Sequence, residues 1–288
     1  MIFTDRPMFG PGGSSESFKK EGHKNSVEMP AWLKEKGLDC FEYECGNGIA
    51  GTPAGFTALG EEARKYGISL SLHSPYFISL SGTDPEKRLK SIDYIGASVV
   101  AAELMGAKTV VVHCGSCATI SREEGMALSR DTLERALDTI KTDVIIGIET
   151  MGKLNQLGTL EEVVELCSIS PRLRPVVDFG HLNARNLGGY FLTRDDYRRV
   201  FDVIGSRLGD GTAKYLHCHF SKIMFTEKGG EKKHLTFEDD VYGPEFEPLG
   251  DVIAADGLCP TVICESAGTQ AEDALYMKNC WLNSKKSL

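Results

Sequence analysis

Residues 109–117 read TVVVHCGSC. Thr109 to Val112 are all β-branched, as in a strand buried on both faces, and a histidine ends the run. Helical spacing resumes on either side. Upstream, Leu89, Ile92, Ile95, Gly96, Val99, Val100 and Leu104 recur at intervals of three and four, which predicts an amphipathic helix over 85–105; a second is predicted over 122–140. A strand set between two such helices implies a parallel sheet, because parallel neighbours need a long crossover.

The same unit recurs along the chain. Candidate strands are Cys40–Glu44 (CFEYE), Ser69–His73 (SLSLH), Val144–Glu149, Arg174–Asp178, Lys214–His219 (KYLHCH) and Thr261–Glu265, with a weaker first strand at Ile2–Thr4. Further helices are predicted over 160–167, 194–208 and 271–281. Seven or eight strand–helix units predict a closed (β/α)8 TIM barrel forming a single domain over 1–288, with a doubly wound open sheet as the alternative. No fixed-period repeat, low-complexity tract or linker divides the chain.

Composition agrees. A chain of 288 residues, 41% hydrophobic and 25% charged, is of ordinary size for one α/β barrel. The net charge of -9 argues against coating nucleic acid through bulk charge, leaving a local basic groove as the only route to a polyanion. The opening MIFTDRPMFGPGGSS lacks a basic segment followed by an apolar one, and no later run approaches roughly 18 apolar residues. A cytoplasmic protein without a membrane span is therefore expected. Nine cysteines, an odd number spread through strands and helices, suit reduced thiols.

The strand ends carry the chemistry. His73, His113, Glu149, Asp178, the pair His217 and His219, and Glu265 each close a predicted strand, and in a parallel barrel all those ends open on one face. Singly, a strand-end histidine can simply bond a carbonyl and a glutamate can pair with a lysine. Together, so many desolvated carboxylates would repel one another unless protonated or neutralised by a divalent cation. Imidazole with carboxylate suits zinc or manganese better than calcium or magnesium. In VVDFGH, Asp178 ends the strand and His181 follows three residues on, so both can face the mouth while touching different ions. In KYLHCH, alternation places His217 and His219 on one face and Cys218 on the other, and one of the two histidines suffices as a ligand.

Two other motifs are weaker. Cys114-x-x-Cys117 lacks the second pair of a zinc knuckle and reads as a chance pair of reduced thiols. The segment GPGGSS (10–15) matches neither phosphate-loop nor dinucleotide fingerprints and reads as a turn.

Taken in order, LHSPYFISL, VVVHCGS, IGIET, QLGTLEEV, VVDFGH, LHCHFSK, KKH at 232–234 and VICES resemble the endonuclease IV family of apurinic/apyrimidinic endonucleases, within the xylose-isomerase-like barrels. The match runs from about Leu70 to Trp281 and leaves the first sixty residues poorly covered. The resemblance implies two to three metal ions, usually zinc with manganese as an alternative. His73, His113 and Glu149 would hold one; Glu149 would bridge to a second held by Asp178, His217 and Glu265; His181 and His234 would hold the third. Eight of the family's nine ligand positions are filled. At the ninth, two residues before His234, the family has an acidic residue and this chain has Lys232, with Glu231 one residue further off.

The family's aromatic and apolar DNA wedge falls on Tyr76 and Phe77, which equally suit a lid over a sugar. Its Arg-containing loop has no counterpart in CGNGIAGTP (45–53). Lys222 and the Lys232–Lys233 pair are the candidate phosphate contacts. The implied function is a metal-dependent hydrolase, active as a monomer, incising damaged duplex DNA 5′ to an abasic site with Glu149 and Glu265 as catalytic candidates. The alternative is a one-metal sugar (or sugar phosphate) isomerase or epimerase. There Glu149, Asp178, His217 and Glu265 hold the ion and the two glutamates move the proton, while His73, His113, His181 and His234 bind hydroxyls or phosphate. A non-catalytic metal- or DNA-binding barrel is the third reading.

Overall fold

The structure, a computed structural model, describes residues 4–287. Eight parallel strands form its centre: β1 (Met8–Pro11), β2 (Cys40–Glu44), β3 (Ser69–His73), β4 (Thr109–His113), β5 (Ile145–Glu149), β6 (Leu173–Asp178), β7 (His217–Phe220) and, after a small hairpin of β8 (Ile223–Thr226) and β9 (Gly230–His234), β10 (Thr261–Cys264). Their order is β1-β10-β7-β6-β5-β4-β3-β2. The ring closes where Gly12 bridges Glu42 in parallel and the Asp39 amide donates to the Phe9 carbonyl at 2.8 Å. The strands thus form a TIM barrel, as the alternating pattern predicts.

Local chemistry fixes the crossovers. Pro53 and Pro85 open their helices behind the N-caps Thr52 and Asp84, and Thr159 with Glu162 forms a capping box. Outward strand residues such as Leu72, Val110, Val112, Ile146, Ile148 and Val177 are fully buried against the helices. Burying a side chain of this size contributes roughly 1.5–3 kcal/mol. Alternation then sends Glu42, Ser71, His73, His113, Glu149 and Asp178 to the inside. This barrel has a polar interior toward its C-terminal mouth.

Two strands depart from expectation by more than one residue. Of the strand expected at Ile2–Thr4, residues 2 and 3 lie outside the described residues; the first described strand is MFGP at 8–11, whose glycine and proline hide it from a β-propensity reading. Lys214 ends a short helix (Asp210–Lys214), so β7 begins only at His217. No helix among the described residues is long and apolar enough to cross a membrane.

Candidate metal centre

Strand register brings the polar ends to one level. His113 pairs across from Glu149, His73 from Glu44, and Asp178 from His219. The resulting mouth is a cavity of about 510 Å³ lined by His73, His113, Glu149, His181, Glu231, His234 and Glu265, among others. A second cavity of about 90 Å³ lies at the barrel floor, away from this cluster.

Glu149 sits at the centre. Its Oε2 is 3.3 Å from His73 Nε2 and 3.1 Å from His113 Nε2, and its Oε1 is 3.0 Å from His219 Nδ1 and 3.5 Å from His181 Nδ1. Glu265 Oε1 lies 3.3 Å from His219 Nδ1. Ligand atoms of Glu149, Asp178, His219 and Glu265 fall within 4.8 Å of one another, as do those of His73, His113 and Glu149, and those of His181, Glu231 and His234. Two ring nitrogens are held by the backbone: His73 Nδ1 by the Ser74 carbonyl and His181 Nδ1 by the Thr150 carbonyl, each at 2.9 Å. Such partners fix the tautomer and leave the other nitrogen for the mouth.

Protonation shows how unbalanced the cluster is by itself. Burial disfavours charge on His73, yet the carboxylates of Glu44 and Glu149 outweigh it and raise the ring from 6.5 to about 10. Burial would raise Glu149, but the His219, His113 and His181 rings hold it well below the usual carboxylate range. Glu265 goes the other way: burial, reinforced by Glu149 and Asp178, keeps it neutral well above that range. Among the described residues, Asp178 Oδ2 is buried without a hydrogen bond. A buried carboxylate oxygen that accepts no hydrogen bond and lies 3.4 Å from His181 Nδ1 is an environment that a divalent cation of the zinc or manganese type satisfies, so the donor set fits such an ion.

The structure places His217 differently from the sequence expectation. His217 pairs across from Val176, a full layer below the level of Asp178, and its Nε2 contacts Glu42 Oε2 at 2.9 Å. His219 stands among Glu149, Asp178 and Glu265 instead. Alternation gives both histidines the same face; only register separates their depths.

The hairpin gives Lys232 and Glu231 different faces. In a regular strand Glu231 and His234, three residues apart, would face opposite sides. Here Met224 pairs with Lys233 and Phe225 with Glu231, so Lys232 is the extra residue of a β-bulge. The bulge turns Lys232 and Lys233 outward and sets Glu231 and His234 on the mouth side, with Glu231 Oε2 3.5 Å from His181 Nε2. Two glycines permit the approach. A Cβ on Gly152 would lie 2.6 Å from that of Glu231, and Gly230, at φ 71°, would place one 2.3 Å from the Gly152 carbonyl.

The DNA-contact candidates divide. Tyr76 (55% exposed) stacks on His113 with ring centroids 5.6 Å apart and donates to Glu44 Oε2 at 3.2 Å, while Phe77 (51% exposed) leans edge-on against Tyr94 outside the cavity. Lys222 is only 6% exposed; its Nζ donates to the Asp239 carbonyl at 2.7 Å and pairs with Glu245 at 2.9 Å, so it faces the protein and not the mouth. All nine cysteines are free thiols. Cys114 is buried and donates to the Glu149 carbonyl, and Cys117 accepts from Arg122. The sequence reading omitted Glu42 and Glu44, although alternation in CFEYE, the rule applied to KYLHCH, points both inward.

Residues 30–282 match the family described as xylose isomerase-like TIM barrel. An uncharacterized protein of Methanocaldococcus jannaschii is 29% identical over 225 residues, 76% of this chain and 80% of that one. A probable endonuclease 4 of Staphylococcus carnosus is 30% identical over 169 residues, so the chain spans only 56% of that relative's length and 57% of its own. Among solved structures, endonuclease IV from Thermus thermophilus superposes with a TM-score of 0.69 at 18% identity (98% and 100% of the two chains), and a 3-keto-D-glucoside 4-epimerase from E. coli with 0.67 at 15% identity (96% and 100%). At those identities the two superpositions speak for the fold alone. With 30–282 matched, the eight-stranded ring complete and the polar cluster at its C-terminal mouth, the chain belongs to the xylose isomerase-like TIM barrel family.

Proposed function

We propose that the protein is a metal-dependent phosphodiester hydrolase similar to endonuclease IV, incising DNA 5′ to abasic sites. One observation carries the choice over a one-metal enzyme: the bulge at Lys232 brings Glu231 to His181 and His234, completing a third cluster of ligand atoms. His73, His113 and Glu149 would hold one ion, Glu149, Asp178, His219 and Glu265 a second, and His181, Glu231 and His234 a third. Bound zinc or manganese would supply Lewis acidity toward a phosphoryl oxygen and an activated water.

The chain's own residues supply the rest. Glu149 joins the first two clusters through its two oxygens and keeps them in fixed relation. Lys153, the one lysine or arginine among the described residues lining the cavity, sets a positive charge at the rim where an anionic backbone would enter. Tyr76 covers the first cluster and limits water there. Incubating the zinc-loaded protein with an abasic duplex tests the reading: incision is expected, and no incision above a Glu149→Gln control refutes it.

One observation favours a sugar isomerase or epimerase. Tyr76 lies over the His113 ring, tied to Glu44, and roofs a cavity of about 510 Å³, as a lid over a small ligand would. Metal stoichiometry separates the two: two or three ions per chain support the hydrolase, one supports the isomerase.

A further inference from the structure

Below the mouth lies a second polar layer that none of the three ion clusters uses. Glu42, on β2, is fully buried. Its Oε2 accepts from the Ser71 hydroxyl at 2.7 Å and contacts His217 Nε2 at 2.9 Å. Its Oε1 lies 2.8 Å from His219 Nε2. That last contact is an ion pair without the alignment of a hydrogen bond, and neither atom has any other hydrogen-bond partner among the described residues. The two atoms face each other, and ligand atoms of Glu42, His217 and His219 lie within 4.8 Å of one another. The opposite nitrogen of the same ring, Nδ1, faces Glu149 and Glu265. A fully buried carboxylate, gripped from two sides and set against the back of one imidazole, is costly unless it orients that ring.

We propose that Glu42 is a positioning residue: its carboxylate, held by Ser71 and His217, fixes His219 with Nε2 protonated and Nδ1 presented to the divalent ion shared with Glu149, Asp178 and Glu265. His217 is then a support for Glu42, not a ligand. The inference rests on the metal-centre reading above but is indifferent to which reaction follows.

The layer's construction supports this. Ser71 and His217 lie on strands on either side of the seam where Gly12 bridges Glu42, so the carboxylate is braced across the ring closure. In Glu42→Gln the side chain keeps its size but must turn an NH2 group toward either His217 or His219, each already offering Nε2. Groups that hold a metal-bound imidazole from behind commonly change metal affinity about 10- to 100-fold.

The experiment titrates the metal-free full-length protein with Zn²⁺ against a chromophoric chelator, and separately with Co²⁺, whose visible spectrum reports ligand geometry. Thermal unfolding of the metal-free forms checks the fold. In Glu42→Gln, one ion is expected to bind about 10- to 100-fold more weakly with an altered Co²⁺ spectrum, the others unchanged. His217→Asn, which leaves Glu42 and His219 in place, is expected to shift the same ion in the same direction by a smaller factor; it serves as the second variant if Glu42→Gln does not fold. Equal affinity and spectrum in a folded Glu42→Gln, or in His217→Asn when the first does not fold, overturns the positioning role while leaving the metal centre standing. A spectrum in which His217→Asn removes an ion altogether makes His217 a ligand and also overturns it. Absence of any bound ion in the wild type defeats the metal-centre reading and this inference with it.

Discussion

Replacing Glu231 tests whether the bulge, and not the sequence offset from His234, supplies the third cluster with its carboxylate. A unit charge 3.5 Å from the Glu231 oxygen, the separation from His181 Nε2, interacts with it by roughly 5 kcal/mol at an effective dielectric of about 20. A dication would gain about twice that. Desolvation costs several kcal/mol for each partner, the largely buried carboxylate and the cation, and so offsets most of that gain. A net of about 2–3 kcal/mol remains, equivalent to roughly a 30- to 150-fold loss of affinity. In Glu231→Ala, zinc titration against a chelator should show one ion weakened by that factor, with the ions at Glu149 retained. Lys232→Ala should change nothing. The decisive variant is Glu231→Ala/Lys232→Asp, which restores an acidic residue two positions before His234. If Lys232 faces outward on the bulge, the new carboxylate cannot reach His181 and the ion stays weak. Recovery of wild-type affinity in that double variant would refute the bulge argument.

Three other outcomes follow from the structure. Cys114→Ser/Cys117→Ser should retain full metal content, since the hydroxyl that replaces the Cys114 thiol can still donate to the Glu149 carbonyl; atomic absorption showing a lost ion would mean the thiols are ligands. Lys222→Met should lose about 1.5–3 kcal/mol of stability in urea unfolding, the worth of a charged hydrogen bond to a carbonyl, and leave the salt dependence of any DNA binding unchanged; a flatter salt slope would return Lys222 to the phosphate contacts. For pH, the folded-state value of His73 at about 10 lies above its unfolded 6.5, so its pairing with Glu44 and Glu149 stabilises fully below 6.5 and is lost as pH climbs toward 10. Chelator-treated protein should therefore lose melting temperature across that window while metal affinity rises as protons cease to compete. A flat melting profile in the chelated protein would count against the ionic cluster.

What the sequence discloses depends on which physical rule sets each feature. Thr109–His113 is legible because burial on both faces demands an unbroken β-branched run, and the histidine that ends it marks the mouth. The face of His217 and His219 is legible from alternation, but their depth is not, because depth follows from β7 pairing with β6 at Val176 and Asp178, two segments whose register no local pattern records. GEKKH has no strand composition; its two lysines are tolerated because the bulged side faces water, so the hairpin is not visible in one dimension, and Glu231 shows there only as the acidic residue one step from the vacant position. Lys222 resembles a phosphate contact by position alone, and only the fold of residues 239–245 around it reveals the carbonyl and carboxylate that bind it.

The hairpin after β7 has a consequence for how such a mouth changes its chemistry. Glu149, Asp178, His219 and Glu265 are built on or beside four members of the ring, where a shift of register would disturb the whole barrel. Glu231 and His234 ride on a two-strand appendix outside the ring, bridged at Gly230 to Lys153 in the loop after β5. On the proposed reading, the number of ions held at the mouth would depend on the most easily altered piece of backbone near it. On the proposed three-ion reading, gain or loss of a single hairpin residue would move this barrel between trinuclear and dinuclear chemistry with every ring strand unchanged.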